Sequence, residues 1–74
     1  MKQFTEHEVV EVTNLIILNR TFDGSGSASQ APQIGDTGTI VFVYGDGKYA
    51  VECVNEDGMT TWLADFSSNE LKTK

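Results

Sequence analysis

Cysteine, proline and histidine each occur once in this sequence, as Cys53, Pro32 and His7. A lone cysteine excludes an intrachain disulfide. One thiolate and one imidazole would need at least two carboxylate or water ligands to hold zinc, an unusual set for a structural site, so no metal or other cofactor is expected. Cations are scarce too: five Lys and Arg stand against eleven Asp and Glu, for a formal net charge of −6. Affinity for a phosphate backbone needs clustered Lys and Arg, and here they are scattered, which argues against nucleic acid as a partner. Long apolar runs are also missing. Leu15–Leu18 and Ile40–Tyr44 fall far short of the roughly 20 residues that cross a bilayer, and the stretch from Met1 to Glu8 has no apolar run of signal-peptide length. No membrane association is expected. A free cysteine without an export signal makes the cytoplasm the expected compartment.

Three local motifs fail on inspection. Asn19-Arg20-Thr21 fits a glycosylation sequon, which has no meaning without secretion. Gly24-Ser25-Gly26 lacks the Gly-Lys-Ser/Thr that completes a phosphate loop. A calcium loop over 53–64 would place Cys53 and Ala64 where an acid and a bidentate Glu are needed.

What is present points to β-structure. Seventy-four residues make one domain with a modest core. Domains below roughly 70–80 residues often add a disulfide, a metal or self-association, and self-association is the support left to this one. Thr5-Glu6-His7-Glu8 fits a helical turn with Thr5 as N-cap. Val9 to Thr13 is rich in β-branched residues and reads as a strand, with Val10 and Val12 on one face. Leu15-Ile16-Ile17-Leu18 is apolar without alternation, which implies either cover on both faces or a segment folded back as a cap. The composition from Asn19 to Gln33 is that of a long flexible loop.

Order resumes at Ile34. Gly35 and Gly38 allow a tight turn or a close approach to a neighbouring strand. Thr39 to Tyr44 is the strongest strand, and Gly45-Asp46-Gly47 supplies a hairpin turn. Lys48 to Val54 alternates, with Tyr49, Val51 and Cys53 sharing a face. Cys53 is therefore expected inward and inert, since reactivity needs a stabilised thiolate. Asn55-Glu56-Asp57-Gly58 makes a second turn, Met59–Leu63 a further strand that extends or bulges at Ala64–Phe66, Ser67–Glu70 an ST-type or 3₁₀ turn, and Glu70–Lys72 a closing strand with Leu71 inward.

These residues match a pattern. Gly35-Asp-Thr-Gly38-Thr-Ile-Val, then Tyr49-Ala-Val-Glu52-Cys-Val, with Phe4-Thr-Glu-His-Glu-Val-Val before them and Asp57-Gly58-Met-Thr60 after, resemble the small bacterial family catalogued as domain of unknown function 4926. The resemblance implies an all-β fold, a small SH3-like barrel of about five antiparallel strands, here with one long flexible loop near 19–33. It implies no established activity and no catalytic residues. Cys53 stands where the family pattern favours Phe.

A non-catalytic interaction module that self-associates is the leading expectation. Leu15, Ile17, Val41 and Phe42 come from the two runs apolar on both faces, and Trp62 and Phe66 are aromatic anchors of the type favoured at interfaces, with the alternative for Trp62 that it simply plugs the barrel. Which of Val41 and Phe42 faces outward depends on a bulge. The alternative is an antitoxin or immunity-type protein whose acidic surface binds a basic partner protein. An enzyme using Cys53 and His7 would need the thiol exposed and the imidazole beside it, and no catalytic site is expected.

Overall fold

The computed structural model describes residues 3–17 and 19–74. Five antiparallel strands form one sheet: β1 (Val9–Val12), β2 (Thr37–Val43), β3 (Lys48–Val54), β4 (Thr60–Ser67) and β5 (Leu71–Thr73), in the order β4-β3-β2-β1-β5. The all-β architecture expected from the short strands and frequent turns is the one observed. β4 and β5 lie at opposite ends of that order, yet only a three-residue 3₁₀ turn, Ser68–Glu70, separates them in sequence. The sheet must therefore curl until its two ends approach one another. Its strand pairings leave it open rather than closed.

The concave side carries the core. Val10, Val12, Ile40, Tyr49, Val51, Trp62, Ala64, Phe66 and Leu71 are buried there, with Phe4 added from the N-terminal segment. Phe4 meets Tyr49 edge-on, ring centroids 5.3 Å apart, and its amide donates to the Tyr49 hydroxyl at 3.2 Å. The Thr5–Glu8 segment makes one hydrogen-bonded turn: the Glu8 amide donates to the Thr5 carbonyl at 3.1 Å, and Glu8 Oε1 accepts from the Thr5 amide at 3.1 Å.

The Gly35-Asp36-Thr37-Gly38 stretch performs both tasks open to its glycines, one at each. Gly35 sits at φ 98°, a backbone state that side chains other than glycine's rarely adopt. Gly38 lies against β3, where an added Cβ would meet Val51 Cγ1 at 2.7 Å and the Glu52 carbonyl oxygen at 2.9 Å. Between them, Asp36 Oδ2 accepts from the Gln33 amide and from Trp62 Nε1, each at 2.9 Å. That carboxylate joins the entry to β2 with the largest side chain in the core.

The long segment before β2 is irregular, as its composition predicts, and it has a definite place. Asp23 and Leu63 exchange backbone hydrogen bonds at 3.0 and 2.7 Å, while the Ser25 and Gln30 amides donate to the carbonyls of Thr60 and Thr61. The segment thus covers the outer edge of β4, which would otherwise offer unpaired backbone groups to another chain.

Candidate interaction site

The β2–β3 pairing is irregular between Ile40 and Phe42: Ile40 faces Val51 and Phe42 faces Ala50, so Val41 is the extra residue of a bulge. A bulge breaks strict alternation. Ile40 is buried, whereas both Val41 and Phe42 are exposed. The structure answers the question of which faces outward with both. On the convex side Phe42 packs edge-on against Tyr44, centroids 4.9 Å apart, and the Tyr44 hydroxyl donates to Asp65 Oδ1 at 2.8 Å. The hydrogen bond to Asp65, partial burial and the nearby negative charge all push the Tyr44 hydroxyl above its ordinary pKa of 10.0.

Asp65 also borders a cavity of about 270 Å³, lined by Ile16, Ile17, Lys48, Asp65, Phe66, Ser67 and Glu70. Its upper wall, Ile16 and Ile17, is 56 and 57 % exposed, and the aromatic pair Phe42 and Tyr44 is 50 and 51 % exposed. Asp65 thus links the Ile16–Ile17 wall to the Phe42–Tyr44 pair.

One buried ion pair holds the cavity wall in place. Glu70 is buried, and its Oε1 accepts from the Ser67 amide at 3.0 Å and from the Ser67 hydroxyl at 3.3 Å, closing a capping box over the 3₁₀ turn. Its Oε2 accepts from the Ile16 amide at 2.8 Å and from Arg20 Nη2. The Arg20 guanidinium lies 4.1 Å from the Phe66 ring centroid, a favourable cation–π arrangement. Burial by itself would raise the Glu70 pKa; Arg20 and the Ser67 and Ile16 amides outweigh it and hold the carboxyl below its ordinary 4.5. Arg20 Nε and Nη1 are buried without a hydrogen-bond partner among the described residues.

The residues expected to form an interface separate into three groups. Ile17, Val41 and Phe42 are exposed, Ile17 on the cavity wall. Leu15 is half-buried and packs on the core, and none of the described residues of the Leu15–Leu18 run lies in a strand; Leu18 is outside the described residues. Residues 15–17 form a cap: Leu15 turns inward, and hydrogen bonding of the Ile16 amide to Glu70 leaves Ile16 and Ile17 outward. Phe66 requires a correction, and Trp62 takes its alternative place inside the core. They sit on an edge strand but point into the core, fully buried, with ring centroids 5.2 Å apart, so they are not surface anchors. Phe66 reaches the surface only as a lining residue of the cavity.

Cys53 packs partly buried against the core, opposite Trp62. Burial and the Asp36 charge push its thiol above the ordinary value of 9.0, against a hydrogen bond from Thr61 that lowers it. That environment favours the thiol over the nucleophilic thiolate. His7 is exposed in the N-terminal turn at φ 75°, where its amide donates to the Ile40 carbonyl at 2.7 Å. No helix among the described residues is long and apolar enough to cross a membrane.

No curated protein matches the chain, and no solved structure does. A family model does match, over residues 29–73, which takes in the Gly35–Gly38 turn, β2 to β5 and Glu70. On that match the chain belongs to the family described as Domain of unknown function (DUF4926).

Proposed function

We propose that this protein is a non-catalytic, cytoplasmic interaction module that associates with a second copy of itself. The observation that carries the reading is the exposure of Ile16 and Ile17 on a cavity wall shared with Asp65, which accepts from Tyr44, itself packed on Phe42, with each of the four apolar residues at least half exposed. Each is about half buried already, so covering the remainder contributes about half of the roughly 1.5–3 kcal/mol of full side-chain burial, still enough to matter for a chain of this size. Chromatography with light scattering tests it: the mass should be a multiple of 8.1 kDa and should fall on dilution or on Ile17→Asp substitution. A mass of 8.1 kDa at every concentration would refute it.

The charge favours a second reading. Lys72 and Lys74 both approach one carboxylate, Glu11, at 3.9 Å, and Arg20 is consumed by Glu70, so the net −6 is left for a basic partner protein, as in an antitoxin or immunity pair. Capture from the source cell should then yield one dominant basic protein in low salt that is lost in high salt. Capture that does not respond to salt excludes this reading.

A further inference from the structure

We propose that two copies dock through a two-fold axis passing between Lys48 and Asp65, so that Lys48 of each copy meets Asp65 of the other and the Ile16–Ile17 wall of one cavity faces the cavity of the other. This inference rests on the self-association proposed above and assigns its surface and geometry.

A two-fold interface uses the same patch twice, so the patch must complement itself. This one does in charge. A recess lined by Ile16, Ile17 and Phe66 has Lys48 and Asp65 together on its wall. It thus carries one cation and one anion side by side. Lys48 pairs with Ser67 and Ala50 with Asp65 across β3 and β4, so Lys48 and Asp65 are diagonal neighbours on the sheet. Lys48 makes no ion pair among the described residues, whereas Lys72, Lys74 and Arg20 each have a carboxylate partner. A rotation of 180° about the midpoint of the Lys48–Asp65 diagonal exchanges their positions and sets each against its opposite. The sheet edges offer a poorer route: β4 is covered by residues 23–30, and β5 is three residues long, with Lys72 in it and Lys74 just after it, features that discourage edge pairing.

The test uses two single charge reversals, Lys48→Glu and Asp65→Lys, at exposed positions. Circular dichroism first establishes that both fold. Each variant alone sets like charges across the axis, and its self-association should weaken by roughly tenfold or more relative to the parent chain. Mixed one to one, they restore both cross-axis pairs. The introduced glutamate of one molecule then faces the introduced lysine of the other, and the native Asp65 of the first faces the native Lys48 of the second. Native mass spectrometry should show this mixed dimer in excess over either homodimer. A pair formed within one molecule cannot be restored by mixing. If the parent chain self-associates but neither reversal weakens it, or the mixture forms no excess of mixed dimer, this geometry is wrong while self-association stands. If the parent chain is monomeric at every concentration, both fall together.

Discussion

Replacing Arg20 by Met removes the partner of a buried carboxylate, and the structure sets the size of the effect. The Arg20 and Glu70 side chains are 6 and 1 % exposed, so solvent cannot take over the lost interaction. Breaking a buried pair by removing one member costs about 3–5 kcal/mol, because the remaining charge is left uncompensated. Glu70 keeps three acceptor interactions, with the Ile16 amide and with the Ser67 amide and hydroxyl, which places Arg20→Met nearer about 3 kcal/mol. A domain of 74 residues has roughly 4–11 kcal/mol of stability in total, so the melting temperature should fall by roughly 12 °C or more. The double variant Arg20→Met/Glu70→Gln removes both charges, lets the introduced methionine pack on Phe66 and leaves an amide oxygen to accept from Ser67 or Ile16. It should therefore be more stable than Arg20→Met alone.

Acid supplies an independent check on the sign. In the parent chain the Glu70 pKa lies below its ordinary 4.5, so the unfolded state binds the proton first. The stability that Glu70 contributes is then present above about pH 4.5 and is lost as pH falls through the depressed folded value. In Arg20→Met, burial is no longer offset by the guanidinium, the carboxyl protonates earlier, and protonation relieves the penalty. The gap between parent and variant, measured by urea denaturation followed by circular dichroism, should narrow from about pH 7 to about pH 4. A loss below about 1 kcal/mol at neutral pH, with the two substitutions additive in the double variant, would show that the pair behaves as a surface ion pair and would refute the reasoning.

Three further outcomes are expected. Gly38→Ala drives a methyl against Val51 and the Glu52 carbonyl and should cost about 1–3 kcal/mol in urea denaturation; a change near zero would mean that β2 and β3 separate freely. Asp65→Asn removes the negative charge that keeps the Tyr44 hydroxyl protonated, and spectrophotometric titration should show one tyrosine ionising at lower pH than in the parent; an unchanged profile would contradict the Tyr44–Asp65 bond. Replacing residues 23–30 with a short Gly-Ser link uncovers the outer edge of β4 and should raise concentration-dependent aggregation without loss of strand signal; a variant as soluble as the parent would remove the protective role assigned to that segment.

The strands were legible because their signals are local. Val10 and Val12 alternate with Val9 and Glu11, and both hairpin turns announce themselves, the second through Asn55, whose side chain accepts from the amides of Asp57 and Met59. Trp62, Ala64 and Phe66 also alternate, and taking that alternation at face value puts all three in the core, where they are; treating the two aromatics as anchors set their residue type above their spacing. The bulge at Val41 was foreseeable only as a possibility, since five consecutive apolar residues carry no period. Arg20 and Glu70 left no joint trace at all. They are 50 residues apart, each is an ordinary charged residue in a polar neighbourhood, and only Ser67-x-x-Glu70 offered a hint, as a capping box at a helix-like turn.

Glu70 divides its two oxygens between local and distant tasks. Oε1 serves the corner between β4 and β5 through Ser67, and Oε2 reaches Ile16 and Arg20 in the segment after β1. The corner joins the two end strands of the sheet, so a carboxylate there fixes the backbone at the turn that links them. The same group then has a second oxygen available for whatever passes over it. The family match includes Glu70 but begins after Ile16, Ile17 and Arg20. In this chain the matched stretch therefore carries the acceptor, and the segment outside the match supplies the donors that seat two exposed isoleucines above it. Those isoleucines are one wall of the proposed dimer surface, and Glu70 lines the cavity between them and Asp65. Stability and association are joined at one side chain: a change that frees Oε2 loosens the wall as well as the corner, whereas a change at Lys48 or Asp65 touches only the surface.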